Sequence, residues 1–153
     1  MTLLSTSLST SITIDASPDV VWRVLTDLDA YGSWNPYYPR AEGALAEGGS
    51  ITLHAALPGG RTGASKCRIH TVRPHEELRW SSHLVLPGMM DADHRFRLVP
   101  VEPGRTRLEQ DETLRGLLIP VAGSIVAQVR QGCEAMADAL RVRAEGISAG
   151  DLG

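Results

Sequence analysis

Nothing in this sequence clusters positive charge, and the formal net charge is -3. Nucleic acid and anionic membrane surfaces normally demand a basic patch, so neither is expected as a partner. Long apolar runs are missing as well. No segment approaches the length that spans a bilayer, and "MTLLSTSLSTSITID" lacks the charged n-region and sustained apolar stretch of a secretion signal, so a cytoplasmic protein without membrane insertion is the default expectation. Cysteine is nearly absent. Cys67 and Cys133 fit no CxxC or Cys/His ligand spacing and are expected as reduced core residues, not a disulfide or metal site.

Familiar catalytic signatures are missing too: there is no GxSxG elbow, Walker loop or dinucleotide fingerprint. "PGGRTG" falls between strand-like segments, where turn geometry accounts for its glycines. No cofactor is therefore expected. What is present suits one globular domain: 153 residues, 42% hydrophobic and 22% charged, can bury a core with a cavity inside it.

The pattern along the chain is α+β. "SLSTSITIDAS" reads as a strand. Ser17 as N-cap, Pro18 at the first helical position and Val21, Val24, Leu25 and Leu28 at helical spacing predict a short amphipathic helix. "AYGSWNPYYPR" predicts another helical turn stopped by Pro36. Six strand-like runs follow, at 37–45, 50–57, 66–72, 77–86, 93–101 and 106–114, separated by turn signals. From Pro120 to about Ala144, Ile125, Val129, Cys133, Met136 and Leu140 form the stripe of one long helix facing the sheet, and 146–153 is expected as a flexible tail.

In "DADHRFRLV" the period of two places His94, Phe96 and Leu98 on one face, with Arg95 and Arg97 on the other. Pairing this strand with "TRLEQDETL" so that apolar meets apolar sets Leu98 opposite Leu108, Phe96 opposite Gln110 and His94 opposite Glu112, across a five-residue loop from Val101 to Arg105. A slip of one residue would bury Glu109 and Asp111. His94 is thus expected inside, beside a carboxylate that favours imidazolium while desolvation opposes the charge. The pair fits general acid/base chemistry. It fits equally a structural pair or an anchor for a ligand.

The same periodicity places Leu78, Trp80, Ser82 and Leu84 on one inward face, with Trp80 lining a pocket or packing the core. Trp34 and Tyr37, on either side of the proline turn, are candidates to close one end, and Met89 and Met90 sit in a loop suited to a lid. Asp91 and Asp93 are read as turn caps. His54, His70, His75 and His83 are assigned no role, and the arginines Arg68, Arg79, Arg95, Arg97 and Arg107 are read as a solvated outer face.

Several longer stretches carry a family resemblance: "IDASPDVVWRVLTDLDAYGSWNP", "VRPHEELRW", "GMMDADHRFRLVPVEPGRTRLEQDETLRGLL" and "EAMADALRVRAE". Together, from about Ser11 to Glu145, they resemble the helix-grip SRPBCC/START-like superfamily and its polyketide cyclase/dehydrase-like group. Tyr37 stands where such relatives have the phenylalanine of a WNPF-like motif, and Leu114 where they commonly have Phe. The resemblance implies a curved antiparallel sheet of about seven strands around a long C-terminal helix, one domain over 1–145, and a hydrophobic cavity between them.

Two function classes follow from the resemblance and the pocket residues. In one, a lyase-type biosynthetic enzyme cyclises or dehydrates a polyketide-like or aromatic molecule, with His94 and Glu112 catalytic and Trp34, Tyr37, Trp80, Ser82, Met90, Phe96 and Gln110 around the ligand. In the other, a carrier or sensor holds a similar molecule without chemistry. An interaction domain is a third and weaker option. Assembly as a homodimer is left open.

Overall fold

A computed structural model describes residues 4–84 and 86–151. Strand β1 (Ser5–Ile14) leads into helix α1 (Pro18–Thr26) and a 3-10 helix (Leu28–Ser33). Then come β2 (Arg40–Gly43), β3 (Ser50–Ala56), β4 (Thr62–Arg73), β5 (Glu77–His83), β6 (Asp91–Glu102) and β7 (Arg105–Arg115). A 3-10 turn (Ile119–Val121) precedes the long helix α2 (Gly123–Asp151). The strands form one curved antiparallel sheet in the order β1-β7-β6-β5-β4-β3-β2. This is the helix-grip architecture.

Local chemistry starts α1 as expected. Ser17 is the N-cap, its hydroxyl accepting from the Val20 amide at 3.4 Å, and Pro18 opens the helix without losing a needed donor. Val21, Val24, Leu25 and Leu28 are all buried. On α2, Val129, Cys133, Met136 and Leu140 are buried with Ala137 and Ala144, while Ile125, one turn from the N-terminus, is half-buried against the same core.

Several boundaries differ from the sequence reading. Strand β2 is four residues long, because the Asn35 side chain accepts the amides of Tyr37 and Tyr38 at 3.0 and 2.9 Å and holds that segment in a turn. Strand β5 ends at His83; Leu84 bends away and its amide bonds to the Met90 carbonyl. The β6–β7 connection is tighter than five residues: Glu102 pairs with Arg105, Gly104 takes the left-handed conformation, and a bulge after Pro100 absorbs the register change.

The expected tail at 146–153 is helical as far as Asp151, with 152 and 153 outside the described residues. Glycine weakens a helix by about 1 kcal/mol relative to alanine. Here no proline intervenes, and Ile147 packs on the core and offsets Gly146 and Gly150.

The exit of β7 is stitched to its surroundings. Gly116 donates to the Leu4 carbonyl, Leu117 to Gly88 and Leu118 to Met89, all by backbone bonds of 2.9 to 3.1 Å. At Gly116, φ is 137°, and a Cβ would fall 2.3 Å from the Met89 carbonyl oxygen. Only glycine fits.

The stripe of α2 can be tested directly. Cys133 is 2% exposed, so Cys133→Asp leaves a carboxylate buried without a partner and is expected to cost about 3–5 kcal/mol in urea unfolding. Wild-type stability in that variant would place the stripe at the surface.

Candidate functional site

The β6–β7 pairing matches the expected register: Leu98 lies opposite Leu108, Phe96 opposite Gln110 and His94 opposite Glu112. All six side chains point inward and are buried. On the other side of β6, Trp80 of β5 pairs with His94, and their rings meet edge to face at 5.6 Å. Phe96 stacks on the imidazole with centroids 4.2 Å apart.

Gln110 determines how His94 is protonated. Its Nε2 donates to the Cys133 carbonyl of α2 at 3.0 Å and to Thr10 Oγ1 at 3.4 Å, so its Oε1 is the atom that faces His94 Nε2, at 2.8 Å. A carbonyl oxygen only accepts, so Nε2 carries the proton and, in the neutral ring, Nδ1 keeps its lone pair. That lone pair faces Glu112 Oε2 at 3.2 Å, in ion-pair range but outside hydrogen-bond geometry.

Burial sets the charge of the pair. It depresses the His94 pKa from 6.5 to about 4, against smaller upward pulls from the Gln110 hydrogen bond and the charges of Asp93 and Asp111. The Glu112 carboxyl is raised well above its ordinary value by burial, with Asp93 adding to the effect. Burial therefore favours the uncharged form of both groups: the imidazole is neutral at neutral pH, and Glu112 holds its proton to a higher pH than an ordinary carboxyl does. Of the two opposing effects read from the sequence, desolvation is the larger, the side chains being 1% and 6% exposed.

An internal cavity lies against this pair, lined by Tyr37, Tyr38, Leu53, Ala55, Ser65, Cys67, Trp80, Ser82, Leu84, Ala92, His94 and Glu112. Its free volume is about 40 Å³, room for a few waters at roughly 10–15 Å³ each. It is much smaller than the hydrophobic cavity expected, because the rings of Tyr37 and Tyr38, stacked at 4.2 Å, fill the space between sheet and helix. Burial also pushes the Cys67 thiol up to about 12, opposed by a Ser82 hydrogen bond and reinforced by Glu112, so it stays a neutral wall. Larger concavities, such as a 660 Å³ groove beside Leu4, Gly88 and Leu117, are open to solvent and include neither His94 nor Glu112.

Of the residues singled out in the sequence, His94, Glu112, Tyr37, Trp80 and Ser82 line the cavity. Gln110 and Phe96 stand behind His94, holding and stacking on it. Met90 is buried but off the cavity wall. Trp34 lies elsewhere: it meets Tyr31 edge-on at 5.2 Å and borders a separate groove with Val24, Ala30, Arg143 and Ile147. The Asn35-capped turn separates it from Tyr37. Tyr38 and Ser65 were not singled out, and Cys67 was read only as a reduced core residue, which it is. Cys67 and Ser65 are an i, i+2 pair on β4 facing Ser82 and Leu53 in the ladder, a signal that register reasoning extended to β3–β5 would have read.

Comparison with known proteins agrees with this architecture. The Zhui aromatase/cyclase from Streptomyces sp. R1128 superposes with a TM-score of 0.76 at 20% identity, covering 92% of this chain and 94% of that one. A START superfamily protein from Mycobacterium smegmatis gives 0.74 at 20%, covering 92% and 98%. The di-domain ARO/CYC StfQ from the steffimycin biosynthetic pathway gives 0.77 at 9%, covering 96% of this chain and 53% of that one. At these identities the likeness is one of fold. Among curated proteins the sequence has no match. The family model described as polyketide cyclase / dehydrase and lipid transport matches residues 5–145, nearly the whole sheet and helix around His94 and Glu112, and the chain belongs to that family.

Proposed function

We propose that the cavity binds a small, oxygenated, polyketide-like or aromatic molecule and that His94 and Glu112 dehydrate or cyclise it without a cofactor. The observation that carries this reading is the buried His94–Glu112 pair on the cavity wall, its facing atoms 3.2 Å apart. In a dehydration, Nδ1 of His94 takes a proton from the carbon beside the carbinol. Glu112 gives its proton to the departing hydroxyl; the C–O bond breaks, the C=C bond forms and water leaves. The proton on Nδ1 then crosses to the Glu112 carboxylate and both groups are restored. Gln110 holds the imidazole in the tautomer this needs, and the apolar walls around Trp80 exclude bulk water.

A carrier without chemistry is the second reading, and the hydroxyl-bearing wall of Ser65, Ser82, Tyr37 and Tyr38 favours it. The two readings separate on turnover. If the pair is catalytic, His94→Gln keeps binding nearly intact and lowers single-turnover rates by roughly 10²–10⁴-fold, with Glu112→Gln similar but milder. Unchanged chemistry in His94→Gln eliminates the catalytic reading.

The protonation states make a second prediction. Between pH 6.5 and about 4 the unfolded chain binds a proton at His94 that the folded protein refuses, so the contribution of His94 to stability falls as pH drops through that window. The loss approaches about 3 kcal/mol at its lower end by the linkage between pKa and free energy. Glu112 acts in the opposite sense: its raised folded pKa means stability is lost as pH climbs above the ordinary carboxyl value of 4.5. Urea unfolding from pH 4 to 7 should show a shallower acid loss in His94→Gln than in wild type, and a gain over wild type in Glu112→Gln that grows with pH. A wild-type slope in His94→Gln would assign the acid loss to another group.

A further inference from the structure

The cavity is small because a side chain of the protein sits in it. Tyr37 is 5% exposed, its ring stacked on Tyr38 and laid against α2 at Gly132. A Cβ on Gly132 would fall 2.5, 2.6 and 2.9 Å from Cδ1, Cε1 and Cγ of that ring, closer than real Cβ contacts come. Gly132 lies in the interior of a 29-residue helix, where glycine is about 1 kcal/mol worse than alanine. Its presence there is explained by the ring, which needs the missing methyl.

The backbone of Tyr37 is pinned by hydrogen bonds to other segments, whereas its side chain is held by the neighbouring Tyr38 and by packing on Gly132. Its amide donates to Asn35 Oδ1 at 3.0 Å and its carbonyl accepts from the Ala56 amide at 2.8 Å. Rotation about χ1 lifts the ring from Gly132 without breaking either backbone bond, giving up the side-chain hydrogen bond and stacking with Tyr38, and joins the vacated space to the wall formed by Trp80, His94 and Glu112.

Resting on the reading of this cavity as the ligand site, we propose that Tyr37 and Gly132 together decide what size of molecule the site admits. With the ring seated on Gly132 the site holds only a few waters. A larger molecule enters when the ring leaves its seat, and part of its binding energy offsets that displacement, so the closed state lowers affinity by the fraction of time the seat is vacant.

The test titrates 2-naphthol into the full-length protein by calorimetry and by quenching of tryptophan emission. Wild type is expected to bind weakly, and Tyr37→Ala at least tenfold more tightly. Gly132→Ala, which evicts the ring from the helix side, should also tighten binding, yet change affinity less than twofold once Tyr37 is alanine, since the two substitutions remove one obstruction. Where Tyr37→Ala fails to fold, Gly132→Ala decides alone by the same tenfold criterion. Wild-type binding as tight as that of Tyr37→Ala overturns the gate and leaves the pocket. Additive effects, or an unchanged affinity in Gly132→Ala, overturn the pairing with Gly132. If no variant binds, the gate falls together with the ligand-site reading, and quenching that survives Trp80→Phe places the probe elsewhere and overturns it as well.

Discussion

One amide organises this molecule. Gln110 reaches from β7, next to the edge strand, to the backbone of the long helix, donating to Cys133 and Thr10 while accepting from His94. Were the amide turned over, its NH2 would face the imidazole and its oxygen the Cys133 carbonyl, two acceptors in contact. The helix carbonyl thus dictates the amide, the amide dictates the tautomer, and the tautomer presents a lone pair to Glu112. Because the chain of bonds is buried, each link is worth more than in water, and a single unpartnered member would cost heavily.

The two faces of the sheet solve different problems. Inside, the register is decided by burial, for a slip on β6–β7 would exchange Leu108 and Gln110 for carboxylates. Outside, Arg79 pairs with Asp93, Arg95 with Asp111, and Arg97 and Arg107 with Glu109. Such half-exposed pairs contribute between nothing and about 1 kcal/mol each. They agree with the register more than they enforce it, and they occupy the carboxylates of Asp93, Asp111 and Glu109 on the outer face.

How much of this was readable beforehand depended on the range of the interaction. The β6–β7 register, and with it the meeting of His94 and Glu112, followed from two adjacent strands with a strong apolar pattern. So did the α2 stripe. The charge on the pair did not, since it depends on how completely five other strands and a helix exclude water. Nor did the cavity's volume: it is decided where Tyr37 meets Gly132, 95 positions apart, and a lone glycine in a helical pattern carries no sign of the ring that occupies it. Trp34 was misplaced because the turn between it and Tyr37 rests on the side chain of Asn35, which periodicity does not register.

The glycine at the exit of β7 has a consequence for anyone who would rebuild this protein. Residues 116–118 are bonded to Leu4 on one side and to Gly88 and Met89 on the other, and the Met89 carbonyl occupies the place of a side chain at Gly116. Chain start, β5–β6 loop and the approach to α2 are therefore a single mechanical joint. Loop grafting or peptide insertion at 86–88, which on exposure alone looks harmless, would be transmitted to the seating of the long helix; the hairpin turn at Pro103–Gly104 is the safer place to cut and splice.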